Sequence, residues 1–375
     1  MIHILHVIDC MENLGGAQEI LVELVSRLSP QEFSQTLIRL HGKNSYEARL
    51  PLARVPSRSL VANKKQILTS IRRLYQHLKQ QKYDVLHFHL QASTLLGVLL
   101  ARLCGASNIV VTIYASKNQS SPWVFVMYAL LVPFVDVYVG LTHHQLSGLT
   151  RHLLAKPFLS RTKTVLIPVG LDCQQIDVTR SQPSTIREEL GLSPSSPLIL
   201  NVARFRYRKG QAFLLRAMTL VVKEFPDVCC LLVGHGPDLE RLQKLTRELS
   251  LEEHVVFLVS RSDLPNFFHA ADLLVNSSIF EGMGVIIYQA MAYKKAVVGF
   301  NAGSVGEVVV DGETGILVPV RDYKALSAAI ITLLKDKELR EQYGIAGRKR
   351  IEEYFLLEDK IRDYEALYQH LMANP

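Results

Sequence analysis

The chain has 375 residues, 48% of them apolar, and a formal net charge of +7. That length is too great for one ordinary domain and comfortable for two, with enough apolar content for two cores. No segment has the composition of a disordered tract, and no apolar run reaches the roughly 20 residues that span a bilayer.

The first run, Ile2–Ile8, reads as a buried strand and not as a signal peptide, because it lacks a basic lead and a small-residue cleavage site. Short apolar runs then alternate with longer periodic ones. Predicted strands are Thr36–Leu40, Val85–His89, Ile109–Ile113, Val135–Leu141 and Val165–Ile167; predicted helices include Ala17–Leu28, Lys65–Gln80 and Ser93–Leu103. This alternation predicts βαβ units and a parallel sheet. Between Pro122 and Val135 lies the most apolar segment, broken by Pro133. It reads as a buried helix, with a partly exposed apolar face against a membrane as the other reading.

At Pro168-Val-Gly170-Leu-Asp172 the alternation stops, and a polar stretch with Pro183, Pro194 and Pro197 surrounds a short helix near Thr185–Leu190. A second series follows: strands Leu198–Val202, Cys229–Val233, Val255–Leu258, Leu273–Asn276, Ala296–Gly299 and Gly315–Val318. The helices between them are Gly210–Glu224, Pro237–Leu249, Asp263–Ala271, one after Gly284 and a short one near Val305–Val310. Three more segments, Tyr323–Lys335, Lys337–Tyr354 and Leu357–Met372, end the chain. The expected division is 1–170, 171–352 and a terminal helical segment 353–375.

Charge is uneven. Through Gly170 there are 18 Lys+Arg against 8 Asp+Glu, and in the remainder 24 against 27. The first half therefore suits an anionic partner, either a lipid surface or a phosphorylated acceptor; with no aromatic-basic interleaving or nucleic-acid motif, nucleic acid is not expected. The five cysteines form no C-x-x-C pair and read as reduced thiols of a cytosolic protein.

Four segments carry chemistry. Asn13-Leu-Gly15-Gly16-Ala-Gln18 follows the first strand, where glycines let backbone approach a ligand and a helix start offers amides to phosphate. Asn201-Val-Ala-Arg204 through Lys209-Gly210 follows the first strand of the second series; two cations there could neutralise a diphosphate leaving group. Arg206 and Arg208 are expected to face solvent. Gly234-His-Gly236-Pro237 ends a strand with a tight turn. Glu281-Gly282-Met283-Gly284-Val285 ends another and opens a helix bearing Gln289, about two turns on and ~12 Å from Glu281 at 1.5 Å per residue. Groups so separated can hold two ends of one extended ligand. In Asp84-Val-Leu-His87-Phe-His89 the two histidines share a strand face, but no third metal ligand is suggested, and no metal is expected.

These ordered motifs resemble the retaining glycosyltransferases of family 4, with the GT-B fold: two Rossmann-like domains facing a cleft and a C-terminal helix crossing back to the first. The resemblance implies transfer of a sugar from a nucleotide-sugar donor, a UDP- or GDP-sugar, to the hydroxyl of a glycan, glycolipid or lipid-linked acceptor, with no metal or other cofactor. It places Arg204 and Lys209 on the diphosphate, Glu281 on the transferred sugar, Gln289 (a glutamate in the family) on the ribose, and Gly234, Gly236 and Val259 near the base. Gly15, Gly16 and the amides of Gly282, Met283, Gly284 and Val285 complete the donor site. Tyr114 stands where the family has a histidine near the reacting carbon and is the second catalytic candidate. The first domain would bind the acceptor, and the protein would be cytoplasmic, with peripheral contact at the inner face of an anionic membrane. The departures at Tyr114, Gln289 and Lys294 leave a non-catalytic GT-B protein that binds a nucleotide sugar or a partner subunit as the alternative.

Overall fold

Continuous runs of Val, Ile and Leu become parallel strands buried on both faces, as β4, β5, β9 and β12 show with every residue buried. In order these are β1 (Ile2–Ile8), β2 (Phe33–His41), β3 (Ser57–Val61), β4 (Val85–His89), β5 (Asn108–Ile113), β6 (Val137–Gly140) and β7 (Lys163–Leu166). The second set is β8 (Leu198–Val202), β9 (Cys229–Val233), β10 (Val255–Leu258), β11 (Leu273–Asn276), β12 (Ala296–Phe300) and β13 (Gly315–Val318). This computed structural model describes residues 1–12, 16–46, 49–50, 55–114, 122–151, 162–180, 183–259, 261 and 263–373.

The chain divides into two units. Unit 1 comprises Met1–Gly170 with Glu358–Pro375, and unit 2 comprises Leu171–Leu357. Unit 1 holds a sheet ordered β3-β2-β1-β4-β5-β6-β7, and unit 2 a sheet ordered β10-β9-β8-β11-β12-β13. Every pairing is parallel. In each sheet the first strand lies beside the fourth (β1 with β4, β8 with β11), so the loops on either side leave in opposite directions. Such a switch point opens a crevice at the carboxyl ends of the strands, where doubly wound sheets bind ligands.

Strand β3 escaped the sequence reading. Its Ser-Arg-Ser-Leu-Val run is polar, and only Leu60 and Val61 are buried. At the sheet edge, pairing with β2 supplies what composition does not. The apolar segment forms helix Pro122–Leu131 and a 3-10 turn Val132–Phe134 that accommodates Pro133. Strand β6 then starts two residues later than expected. The Asp136 carboxylate before it accepts from Ile109 N (2.7 Å) and Arg102 Nη2 (2.7 Å).

The terminal helix Leu357–Ala373 lies in unit 1 from Glu358 onward. Glu365 accepts from Ser29 N (2.9 Å), and Tyr364 and Tyr368 are buried against the first sheet. Among the described residues no helix is long and apolar enough to cross a membrane.

Candidate active site

Two loops meet at the switch point of unit 2, one leaving β8 and one leaving β11. Asn201 Nδ2 donates to Val275 O (2.8 Å), Ser277 Oγ donates to Lys209 O (2.9 Å) and Ile279 N donates to Arg208 O (2.9 Å). Gly210 has φ +66°, and a Cβ there would sit 1.9 Å from Ser277 O. Only glycine lets the loops close this far.

Their closure buries Glu281, 5% exposed, with good partners. Oε2 accepts from Lys209 Nζ (2.6 Å) and Ser278 Oγ (2.9 Å), and Oε1 from Gly282 N (3.2 Å). Burial pushes the carboxyl pKa up; the Lys209 charge and the three donors outweigh it, leaving the value below the ordinary one. Glu281 is therefore an ionised, buried carboxylate. Its backbone is held by Ser304 N, which donates to Glu281 O (3.1 Å), beside Gly303, where a Cβ would lie 2.1 Å from the same oxygen.

Past Glu281, Gly282 is buried, Met283 half-buried, and Gly284 (φ +62°) caps helix Val285–Ala292 without any side-chain cap. The first amides of a helix lack i−4 acceptors and carry the positive end of its dipole; here Ile287 N turns back to Gly284 O (2.7 Å). Gln289 is half-buried. Because the helix begins only at Val285, it sits in the second turn rather than two full turns in.

Arg204 is exposed at the site edge, and its carbonyl accepts from Gln211 Nε2 (3.1 Å). Arg208 departs from expectation. It is half-buried rather than facing solvent, and its Nε is buried with no hydrogen-bond partner. Burial lowers its pKa, Glu281 opposes this, and Arg206 and Arg204 add to it. Loop closure against Ile279 decides this placement, and no local pattern announces it. Gly234 and Gly236 follow β9, where Phe205 N donates to His235 O (2.8 Å) and Asp238 N to Phe205 O (3.1 Å). Val259 is exposed just past β10.

Unit 1 treats its switch point differently. Gly16 opens helix Gly16–Arg27 after β1, while Gly15 lies outside the described residues. Asp9, not singled out by the sequence, accepts from Ala92 N (3.1 Å) and Ser93 N (2.6 Å) at the start of helix Gln91–Leu103. Tyr114 follows β5 and is 9% exposed. Its hydroxyl pairs with His89 Nδ1 (3.0 Å), His89 Nε2 pairs with His6 Nδ1 (3.2 Å), and His87 pairs with Tyr368 (2.8 Å) and Thr112 (2.7 Å). The fold thus turns Tyr114 into a buried polar chain. Burial also pushes its pKa well above the usual tyrosine value, so it stays neutral.

His6 is the third histidine that the sequence did not suggest. Strand order sets it beside His87, and ligand atoms of the three rings lie within 4.8 Å of one another. The trio contains no carboxylate, and both nitrogens of His87 are engaged by hydroxyls. Burial lowers the pKa of His6 to about 3, with Gln35 opposing, and burial followed by the neighbouring rings lowers His87 and His89. The rings are neutral hydrogen-bonding partners.

Residues 183–350 match the family of glycosyl transferases group 1, and residues 14–175 match glycosyltransferase family 4. The chain belongs to the family 4 glycosyltransferases. This glycosyltransferase is 26% identical over 301 residues to the N-acetyl-alpha-D-glucosaminyl L-malate synthase of Bacillus anthracis, covering 79% of this chain and 77% of that one. It is 23% identical over 325 residues to the UDP-Gal:alpha-D-GlcNAc-diphosphoundecaprenol alpha-1,3-galactosyltransferase of Escherichia coli, covering 84% and 82%. Its fold is that of the crystal structure of Anabaena HepE in complex with UDP and glucose, with a TM-score of 0.85 at 19% identity over 99% of this chain and 100% of that one. The glycosyltransferase thus has the GT-B fold, and the relatives it matches are named as enzymes; none of them supports the non-catalytic binding protein that its sequence departures left open.

Proposed function

We propose that the enzyme transfers a sugar from a nucleotide diphosphate sugar to an acceptor hydroxyl with retention at the anomeric carbon, and that unit 2 holds the donor. The observation that carries this is Glu281: a buried, ionised carboxylate at a switch point, paired with Lys209 and standing before an uncapped helix N-terminus. A carboxylate so placed accepts hydroxyl hydrogen bonds from a sugar, while cations and helix amides take the charge of a diphosphate.

In this reading Arg204 and Lys209 hold the diphosphate, and the half-buried Arg208 adds positive charge beside Glu281. The amides of Gly282, Met283, Gly284 and Val285 meet phosphate or sugar oxygens. Gln289 accepts from the ribose, and Gly234, Gly236 and Val259 line the base. As the bond from the anomeric carbon to phosphate oxygen breaks, the acceptor oxygen bonds the same face and its proton passes to the departing phosphate. Stabilising that departing charge is the main electrostatic demand, which the cations and helix start meet without a metal. Tyr114 acts as a positioning residue, because its hydroxyl is committed to His89.

The name of the Escherichia coli relative, a UDP-Gal-dependent galactosyltransferase on a diphosphoundecaprenol-linked sugar, supports a UDP-sugar donor and a lipid-linked acceptor bound by unit 1. The basic charge of unit 1 supports peripheral contact with an anionic membrane on the cytoplasmic side. Incubating the protein with UDP- and GDP-sugars and measuring nucleotide release with and without lipid extract tests this reading. Release abolished by Glu281→Ala and only weakened by Gln289→Ala supports it; nucleotide binding without turnover under every condition overturns it.

A further inference from the structure

Helix Gln91–Leu103 covers the first sheet with one face and turns the other to water. That outer face carries Leu95, Leu99 and Leu103, spaced one turn apart, and Leu103 is 76% exposed. A surface helix ordinarily places polar residues there. Arg102 of the same helix donates to Phe134 O (2.9 Å), tying the helix end to a segment that exposes Leu130 (59%) and Phe134. On the other side packs helix Ile67–Gln80, which exposes Leu68 (78%) together with Arg72 and Lys79. The charge of the neighbouring helix is one-sided: Ile67–Gln80 carries Arg72, Arg73 and Lys79, all exposed, and no acid.

An apolar stripe rimmed by cations is the surface that a membrane of anionic lipid accommodates, with leucines at the acyl boundary and cations among headgroups. An acidic protein partner would meet the cations but leave a reason wanting for a file of leucines along one helix. Among the described residues no helix is long and apolar enough to cross a membrane, and the contact inferred is peripheral. We infer that this face of unit 1, formed by helices Ile67–Gln80 and Gln91–Leu103 and the segment around Phe134, docks on an anionic lipid surface. The inference rests on the lipid-linked-acceptor reading above and deepens it, by naming the side chains through which unit 1 reaches such an acceptor.

Co-sedimentation with phosphatidylglycerol–phosphatidylcholine vesicles and with pure phosphatidylcholine vesicles tests it, at low salt and at about 0.5 M NaCl, where screening shortens to a few ångströms. Wild-type protein should bind the anionic vesicles and lose at least about twentyfold in affinity on pure phosphatidylcholine or in high salt, given roughly fivefold for each of Arg72 and Lys79 near the surface. Triple replacement Leu95→Ser, Leu99→Ser and Leu103→Ser should weaken binding at least about tenfold, since three apolar side chains no longer partition. The pair Arg72→Glu and Lys79→Glu should do the same by charge, and both variants should keep wild-type melting temperature and nucleotide release with a water-soluble acceptor. The docking inference is overturned if wild-type protein stays in the supernatant, or if the triple variant binds undiminished. It is equally overturned if size-exclusion shows a dimer that the triple variant dissolves, which assigns the face to a second copy. Sugar transfer without vesicle binding sinks the docking alone; vesicle binding without nucleotide release under any condition sinks the enzymatic reading alone.

Discussion

The two units share a topology and differ in how they treat the helix that follows the switch point. In unit 1 the helix after β4 has amides of Ala92 and Ser93 satisfied by Asp9. In unit 2 the helix after β11 has no side-chain cap, and the carboxylate nearby, Glu281, is turned to Lys209 and Ser278 instead. One positive helix end is quenched by a carboxylate of the protein; the other carries no side-chain cap. The cores beneath differ likewise, with neutral buried histidines in unit 1 and a buried ion pair in unit 2. Shared architecture thus says where a ligand could sit, and the side chains at the switch point are what the proposed donor site in unit 2 rests on.

The comparison breaks most visibly at Glu281. Glu281→Ala should lower the rate of sugar transfer on the order of a thousandfold, the scale for removing a preorganised charge from an active site; steady-state nucleotide release checks it. A near-normal rate would move the chemistry away from unit 2.

Lys209→Ala should come next, destabilising unit 2 by about 3 kcal/mol in urea titrations, because it leaves Glu281 buried without its counter-charge. The double variant Lys209→Ala with Glu281→Ala should be more stable than the Lys209 single variant. Additivity would mean that the 2.6 Å pair is not energetically coupled.

Acid should separate the units. The folded pKa of His6 lies below its unfolded value of 6.5, so the unfolded state binds more protons as pH falls through that value. Stability from the neutral rings, of the order of a few kcal/mol for His6 by linkage, is present above pH 6.5 and drains below it. The carboxyl of Glu281 is also depressed, and its contribution is lost only below about 4.5. Hydrogen exchange of the β1 and β4 amides, which carry His6, His87 and His89, should therefore report loosening of unit 1 at a higher pH than loss of nucleotide binding by unit 2.

The smallest effect belongs to Gln289. Gln289→Ala should raise the donor KM about fivefold, the scale of one neutral hydrogen bond near 1 kcal/mol, and leave kcat close to wild type. Gln289→Glu should tighten donor binding by adding charge to that bond.

Much of the fold is legible in the chain because parallel strands buried on both faces are unbroken apolar runs, and β1, β4, β8 and β9 have the bounds expected of them. The polar edge strand β3 is not, since a neighbour rather than its own composition makes it a strand. Glu281, Lys209 and Gly210 are readable as a motif. Asp9, Arg208 and His6 are not, because each acquires its setting from a segment distant in sequence.

Sequence alone determined the alternation of strands and helices, the boundary after Gly170, and the presence of cations and a carboxylate at strand ends. Tertiary structure alone decided the pairings: Lys209 with Glu281, 72 residues apart, Asp9 with helix amides beyond residue 90, and three histidines in one cluster. The physical reason is strand order. Setting the first strand beside the fourth brings loops from remote parts of the chain to one edge. Which charges meet there, and which helix start stays open, depends on that adjacency and not on any local pattern.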